Sequence, residues 1–485
     1  MPRSRPATAR AVTREIVAPA TLPDEHVLYP IVGGHPGRVV PDDRARAPRT
    51  ITVKVTMNGI TTSPPGALAR RDWLRSAAGA ALAAAGPAVL ADDVAPAGDD
   101  LPRVAAINSI YRLRSHAYHI AGRFIHGYTI DGLSHRPPFR LVRMFNHQQP
   151  ADDLGPEVCR RHGIELCASV ERALGGGKTL DVDAVLLIIE HGDYPVNERG
   201  QVLYPRYEMF RAITDVFRAS GRSVPVFVDK HLSYDHRHAA EMVATARDLG
   251  FGLMAGSSLP VTWRQPAFDP APGTPFTEGV AIVGYDRATW DVYLFHVLEV
   301  LQCMLERRPG GETGVASVQT ISGEAVWRAG DEGRWSWTLL EHALSRCPSL
   351  NYGDVREQVR TPVCTLIEYR DGTRGAVFNL IEAVSDFAFA GRVRGRPEPV
   401  STCFVLPPPP GARFFDPLTW NIERFFATGR PPYPVERTLL TSTICDHAMR
   451  SLADDGRLIA DPSLGVTYGP PADDGHFRGR FVDRS

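Results

Sequence analysis

No two cysteines of this chain are spaced C-x-x-C, and the seven present (Cys159, Cys167, Cys303, Cys347, Cys364, Cys403 and Cys445) are odd in number and far apart. Neither a zinc ribbon nor a dense disulfide framework is indicated. Buried thiols are the default expectation, with one or two disulfides left open if the protein is exported. Charge of one sign is also lacking: 54 basic residues stand against 55 acidic ones, for a net charge of -1. The basic residues form no stripe, which argues against a nucleic-acid partner. The stretch 77–90 is apolar and Ala-rich but too short to span a bilayer. What is present is an ordinary globular composition, 43% hydrophobic and 22% charged over 485 residues, with room for two or three domains.

The stretch 77–90 reads instead as an export signal. Arg70 and Arg71 precede it, Val89-Leu90-Ala91 offers small residues for cleavage, and Asp92-Asp93 follow. The arginine pair before Trp73-Leu74 looks like a twin-arginine leader over 57–91. Gly79, Gly86 and Pro87 would spoil the alternative, a core helix. Residues 1–56 are Arg/Pro-rich without periodicity, as in disorder, and Met57 stands where translation would start. The expected location is periplasmic or extracellular, with no membrane contact once the leader is removed.

Beyond residue 100 strand and helix patterns alternate. Short apolar runs at 104–107, 139–145 (FRLVRMF), 184–189 (AVLLII), 224–228 (VPVFV) and 251–255 (FGLMA) read as strands. Amphipathic stretches beginning near Ser115, Met209 and Ala239 lie between them. The pattern implies an α/β fold with a Rossmann-type doubly wound parallel sheet over 101–256. Residues 361–370 and 373–384 flank an Asp371-Gly372 turn, a hairpin signal. Runs at 387–393 and 400–406 add strands, so 257–485 reads as an α+β domain with a largely antiparallel sheet. Helices are expected near 420–426 and 438–452.

Ligands of doubly wound sheets bind beyond the carboxyl ends of the strands. The first strand is followed by Asn108-Ser109-Ile110-Tyr111-Arg112-Leu113-Arg114-Ser115-His116. None of the glycines of a G-x-G-x-x-G phosphate loop is there. Small Ser109, a helix N-terminus and Arg112 or Arg114 are what could replace it. After the second strand, Asn146 replaces the acid that would grip a ribose. After the third, Glu190-His191-Gly192-Asp193-Tyr194-Pro195 has the makings of a ligand loop, or of a plain surface turn. His191, Asp193, His231, His236 and His238 meet no zinc-type spacing, so no metal site is expected.

At 226–234 the chain reads VFVDKHLSY, then an Ala-rich helix, then LMAGSS. This resembles the Gfo/Idh/MocA family of glucose–fructose oxidoreductases and inositol dehydrogenases, in which a strand ends in Glu-Lys-Pro. Asp229, Lys230 and His231 stand at those three positions, with His231 departing from the family's proline. In a second match, the family's D-x-G-x-H-x-x-D is met by His296 and Glu299. Its first acid is displaced to Asp291, and Leu294 stands where the glycine would be. A third is the tail 429–438 with the turn at 455–457. The resemblance spans roughly 101–470. It implies a tightly held NAD or NADP, a sugar-like substrate, Lys230 and His296 as catalytic residues, and a homo-oligomer formed through the C-terminal sheet. The cofactor contacts it implies are Asn108, Ser109, Tyr111, Arg112, His116, Asn146, Glu190, His191 and Asp229.

A lysine at the mouth of a sheet is partly desolvated and suited to acid–base work on a hydroxyl, or else is simply solvated. On its helix His296 falls opposite the stripe Leu294, Leu298, Leu301 and Leu305, with Glu299 placed to orient it. Trp263, Arg264 and Trp290 could stack on a sugar or sit in the core. The expected function is an exported oxidoreductase moving a hydride between a nicotinamide and a sugar or polyol hydroxyl. Its rivals are a cofactor-free carbohydrate-binding protein, favoured by the missing glycines, and a glycoside-cleaving enzyme using transient oxidation.

Overall fold

The computed structural model describes residues 100–478 apart from 409 and 474. The segment 1–56 and the leader read at 57–91 lie outside the described residues. In chain order, β1 (Arg103–Asn108) is followed by α1 (His116–His126), the hairpin β2 (Tyr128–Ile130) and β3 (Leu133–His135), β4 (Arg140–Asn146), α2 (Gly155–His162), β5 (Glu165–Cys167), α3 (Val170–Leu174) and β6 (Ala184–Ile188). Next come α4 (Arg206–Ser220), β7 (Val226–Asp229), α5 (His236–Asp248) and β8 (Leu253–Gly256). A second group holds β9 (Arg264–Gln265), β10 (Phe276–Val283), α6 (Trp290–Leu305), β11 (Val315–Ser322), α7 (Glu324–Asp331), α8 (Trp337–Leu344), α9 (Val355–Gln358), β12 (Val363–Tyr369), β13 (Arg374–Asn379), β14 (Phe387–Val393) and β15 (Val400–Phe404). The last long helices are α10 (Phe415–Thr428) and α11 (Val435–Ala453).

The first sheet has the order β5-β4-β1-β6-β7-β8, with every pair parallel. Its strands are apolar at nearly every position because helices cover both faces, and all five residues of β6 are buried. Helix starts are set by side chains: Ser115 accepts from the Tyr118 amide and Asp235 from the Arg237 amide. The chain winds one way from β1 to β5 and the other way from β6 to β8. The crevice between the carboxyl ends of β1 and β6 is therefore the topological switch point. This is the doubly wound α/β sheet expected from the alternating pattern.

The second sheet has the order β11-β12-β13-β10-β14-β15-β9 and is antiparallel except where β10 pairs with β13. One face packs on α6, and the other on α7 and α8 through a cluster holding Trp327, Trp335, Leu339 and Leu340. α6 packs on the second sheet and on α11 and is buried at all its positions, the polar Asp291, His296, Glu299 and Gln302 included. α10 returns to the first sheet, where Phe415, Leu418, Ile422 and Phe425 join Val104, Ala106, Leu186 and Phe227 in one core cluster. Spatially, that stretch belongs with the first sheet although it follows the second in sequence. Trp290 and Trp263 are buried. All seven cysteines are buried, and among the described residues none is joined in a disulfide. No helix of the described residues is long and apolar enough to cross a membrane.

Candidate active site

Polar side chains gather at the carboxyl ends of β1, β6, β7 and β8, where the strand order reverses. Lys230 follows β7, and its Nζ lies 2.9 Å from Glu190 Oε1, with both side chains almost wholly buried. The other oxygen of Glu190 takes an N–H of Arg206, from the start of α4. Burial disfavours the charged carboxylate, but Lys230 and then Arg206 hold Glu190 well below the ordinary carboxylate range. Asp229 accepts from His116 Nδ1 at 2.7 Å. The His116 amide points at His191 Nδ1 at 3.4 Å, and the two rings are 5.1 Å apart. Burial, then His116, pulls His191 down to about 3, so its ring is neutral near pH 7. Lys230 and His191 both have positive φ, 66° and 67°. For non-glycine residues that strain costs about 1–3 kcal/mol each and gathers where a site over-determines the backbone.

His296 reaches the same crevice from α6. Its ring lies 6.1 Å from that of Tyr293, and Lys230 Nζ lies 5.9 Å from the Tyr293 ring. His296 Nδ1 meets Ser257 Oγ at 2.9 Å, and Ser257 Oγ in turn makes a short hydrogen bond to Glu299. The expected direct contact of Glu299 with His296 is replaced by this serine bridge, because β8 delivers Ser257 between them. Gly256 (φ 128°) makes the approach feasible, since a Cβ there would lie 2.7 Å from Glu299 Oε1. His296 keeps the face opposite the leucine stripe, and since all of α6 is buried that face meets protein groups of the crevice and not open solvent. Burial pushes His296 well below its ordinary range and lifts Glu299 to about 7.

A carboxyl lifted by folding adds stability that is fully present below about 4.5, its unfolded value, and lost as pH rises through about 7. Glu299→Gln removes that dependence while keeping partners for Ser257. The wild-type advantage over Glu299→Gln is therefore expected to shrink between about pH 4.5 and 7, read from paired thermal melts. A difference that stays flat across that window would mean Glu299 does not titrate there.

The remaining expected contacts divide. Ser109 donates to the Glu190 carbonyl at 2.6 Å, and Asn108 donates to Asn146 at 3.0 Å. Asn146 in turn donates to Asp153, so an acid does stand behind the position where one was missing. Arg112 is partly exposed, 3.6 Å from Asp152. Tyr111 departs from the expectation: its ring does not line the crevice but is taken into the core cluster beside α1, fully buried. Pattern reading missed Arg206, Ser257 and Tyr293. Ser257 follows a strand end directly, so the rule that singled out Lys230 would have found it if applied to β8; the other two sit within helices.

A nicotinamide dinucleotide, the cofactor implied by the sequence resemblance, can be set against these residues. Asn108 Oδ1 and Asp229 Oδ1 are buried acceptors without a hydrogen-bond partner, at the ends of β1 and β7. A buried orphan acceptor costs free energy unless a ligand donor meets it. Ribose hydroxyls or a carboxamide N–H suit both. The phosphates would fall to Ser109, Arg112 and the N-terminus of α1 in place of a glycine loop. The residues fit the group, with side chains doing what backbone usually does.

No family model matches the chain, and no curated protein matches it. Among solved structures, the chain is similar to GenD2 from gentamicin A biosynthesis, solved in complex with NAD, at 14% identity over 74% of this chain and 96% of that one (TM-score 0.47). It is similar to myo-inositol 2-dehydrogenase from Lactobacillus plantarum at 13% identity, over 74% and 99% (TM-score 0.46). A third is the UDP-N-acetylglucosamine 3-dehydrogenase of Acidithiobacillus ferrooxidans, at 11% identity over 73% and 98% (TM-score 0.41).

Proposed function

We propose that this chain is a nicotinamide-dependent oxidoreductase acting on a hydroxyl of a sugar or polyol. The observation that carries the reading is the Lys230–Glu190 pair at the switch point of a doubly wound sheet, with His296 reaching the same crevice around Tyr293. The nicotinamide, when bound, supplies the hydride acceptor. Asn108 and Asp229 would hold it by their unpartnered oxygens. The protein's own work is on the proton. Lys230 Nζ, paired with Glu190, is placed to give an ammonium proton to the carbonyl oxygen during reduction, and the amine so formed to take the hydroxyl proton back during oxidation.

His296 and Glu299 share a relay. With Glu299 ionised, Ser257 donates to it and accepts from His296 Nδ1, leaving Nε2 as an acceptor toward the crevice. With Glu299 protonated the relay reverses, and Nε2 carries the proton. A carboxyl lifted to about 7 makes both arrangements accessible near neutrality. The arginine pair and apolar stretch read at 57–91 as a twin-arginine leader support an exported enzyme, since that route carries folded proteins, often ones with a cofactor already inserted.

The absent glycines favour one rival, a cofactor-free carbohydrate-binding protein. Purified full-length chain should release a nicotinamide dinucleotide detectable by absorbance and mass spectrometry, or show a thermal shift with NAD(H) or NADP(H). If it carries none and none shifts it, the oxidoreductase reading fails and the crevice is a cofactor-free binding site.

A further inference from the structure

A second cluster of ligating side chains lies apart from this crevice, where the start of α5, the middle of α11 and the turn after α11 meet. One ligand atom each from His236, His447 and Asp461 lie within 4.8 Å of one another. The rings of His236 and His447 are 4.6 Å apart. His447 Nε2 lies 3.9 Å from Asp461 Oδ1 and 2.8 Å from Ser463 Oγ. His447 is fully buried, and its Nδ1 has no hydrogen-bond partner.

The surroundings are arranged as around a metal. His236 Nδ1 meets Asp446 Oδ2 at 2.7 Å, which fixes the ring and leaves Nε2 as the nitrogen to ligate. A carboxylate on the far nitrogen of a ligating histidine sets its tautomer and raises its basicity. Asp446 is itself anchored: it accepts from the His236 amide at 3.1 Å and lies 3.3 Å from Arg199. Asp461 is about one-third exposed, leaving a way in and a side for water. Ligands about 2.1 Å from a tetrahedral ion are roughly 3.4 Å apart, so modest side-chain rotation closes the site.

We propose that His236, His447 and Asp461 bind one divalent transition-metal cation of the Zn²⁺ class, with water completing the shell and Asp446 positioning His236. Two imidazoles and one carboxylate suit Zn²⁺, Co²⁺ or Fe²⁺ rather than Mg²⁺ or Ca²⁺. The ion would tie the segment after α11 to the start of α5. Sequence spacing could not show it, because His236 and Asp461 are far apart in the chain.

The test is titration of tag-free, chelator-treated full chain with Co²⁺, followed by visible absorbance and competition with Zn²⁺. Saturable binding of one ion per chain is expected, with Zn²⁺ displacing Co²⁺. Asp461→Asn, isosteric and part-exposed, should still fold by circular dichroism yet bind at least about tenfold more weakly, and Asp446→Asn should lose about 10–100-fold. His238→Ala, a neighbouring histidine outside the cluster, should bind as wild type. No saturable binding, or wild-type affinity in Asp461→Asn, would overturn the site.

Discussion

Arg437→Met is expected to lose roughly 3–5 kcal/mol of stability, the usual cost of leaving a buried charge without its partner. Arg437 and Glu306 are both fully buried, and the guanidinium meets the carboxylate with two N–H groups, one at 2.9 Å to Oε2. Tyr468 adds its hydroxyl to the same oxygen at 2.9 Å. Without the arginine, Glu306 keeps that hydroxyl alone as a partner, in a buried patch where Tyr468 also meets Gln302 and the Glu312 carboxylate adds a second negative charge. The pair itself need not be stabilising, because desolvating two charges offsets much of their attraction. The double variant Glu306→Leu/Arg437→Met should therefore recover a large part of the loss. Urea unfolding of the two variants decides the matter. A single variant within about 1 kcal/mol of wild type, or a double variant no better than the single, would be inconsistent with a stranded charge.

The second large effect concerns turnover. Lys230→Arg is expected to fold normally and to lose about 10²–10⁴-fold in kcat on any polyol the protein oxidises. Arginine preserves the charge beside Glu190 but does not give up its proton, so only the proton-transfer role is lost. Lys230→Met should lose as much activity and somewhat more stability. Glu190 then relies on Arg206 alone, which still neutralises it. The reading fails if Lys230→Arg turns over at the wild-type rate in a nicotinamide-reduction assay. Retained ligand affinity in both variants would separate lost proton transfer from a collapsed site.

Five strands of the first sheet were legible as apolar runs, Ala184–Ile188 being buried on both faces, and Ser115 caps α1 after β1 as its position suggests; the edge strand β5 (Glu165–Cys167) was not, because three residues with one polar carry no period. The second sheet was half legible. The Asp371-Gly372 turn marked β12 and β13, but β10 carries Glu278 and Gly279 inside its run, and β11 alternates polar with apolar weakly. Both belong to the sheet through pairing partners distant in sequence. At the site, Lys230, Glu190, Asp229, His116 and His191 were all visible as residues following strands. That Lys230 pairs with Glu190 was not visible, nor that Arg206 completes the pair, because such choices depend on how helices are rotated. Periodicity set His296 opposite the leucine stripe of α6, but it could not show that Ser257, from the end of β8, stands between His296 and Glu299.

The return of α10 to the first sheet sets a clock on synthesis. The apolar surface around Val104, Leu186 and Phe227 is closed by Phe415, Leu418 and Phe425, which leave the ribosome some three hundred residues after β1. Arg123 waits as long for Asp416, its buried partner at 2.8 Å. Domains generally fold as units as they emerge, amino end first. Here the first sheet lacks one of its walls until α10 has been made. The nascent protein therefore carries an open greasy flank from the synthesis of β7 until that of α10, the condition in which holding chaperones are recruited. The core of the first sheet is complete only when α10 closes over it.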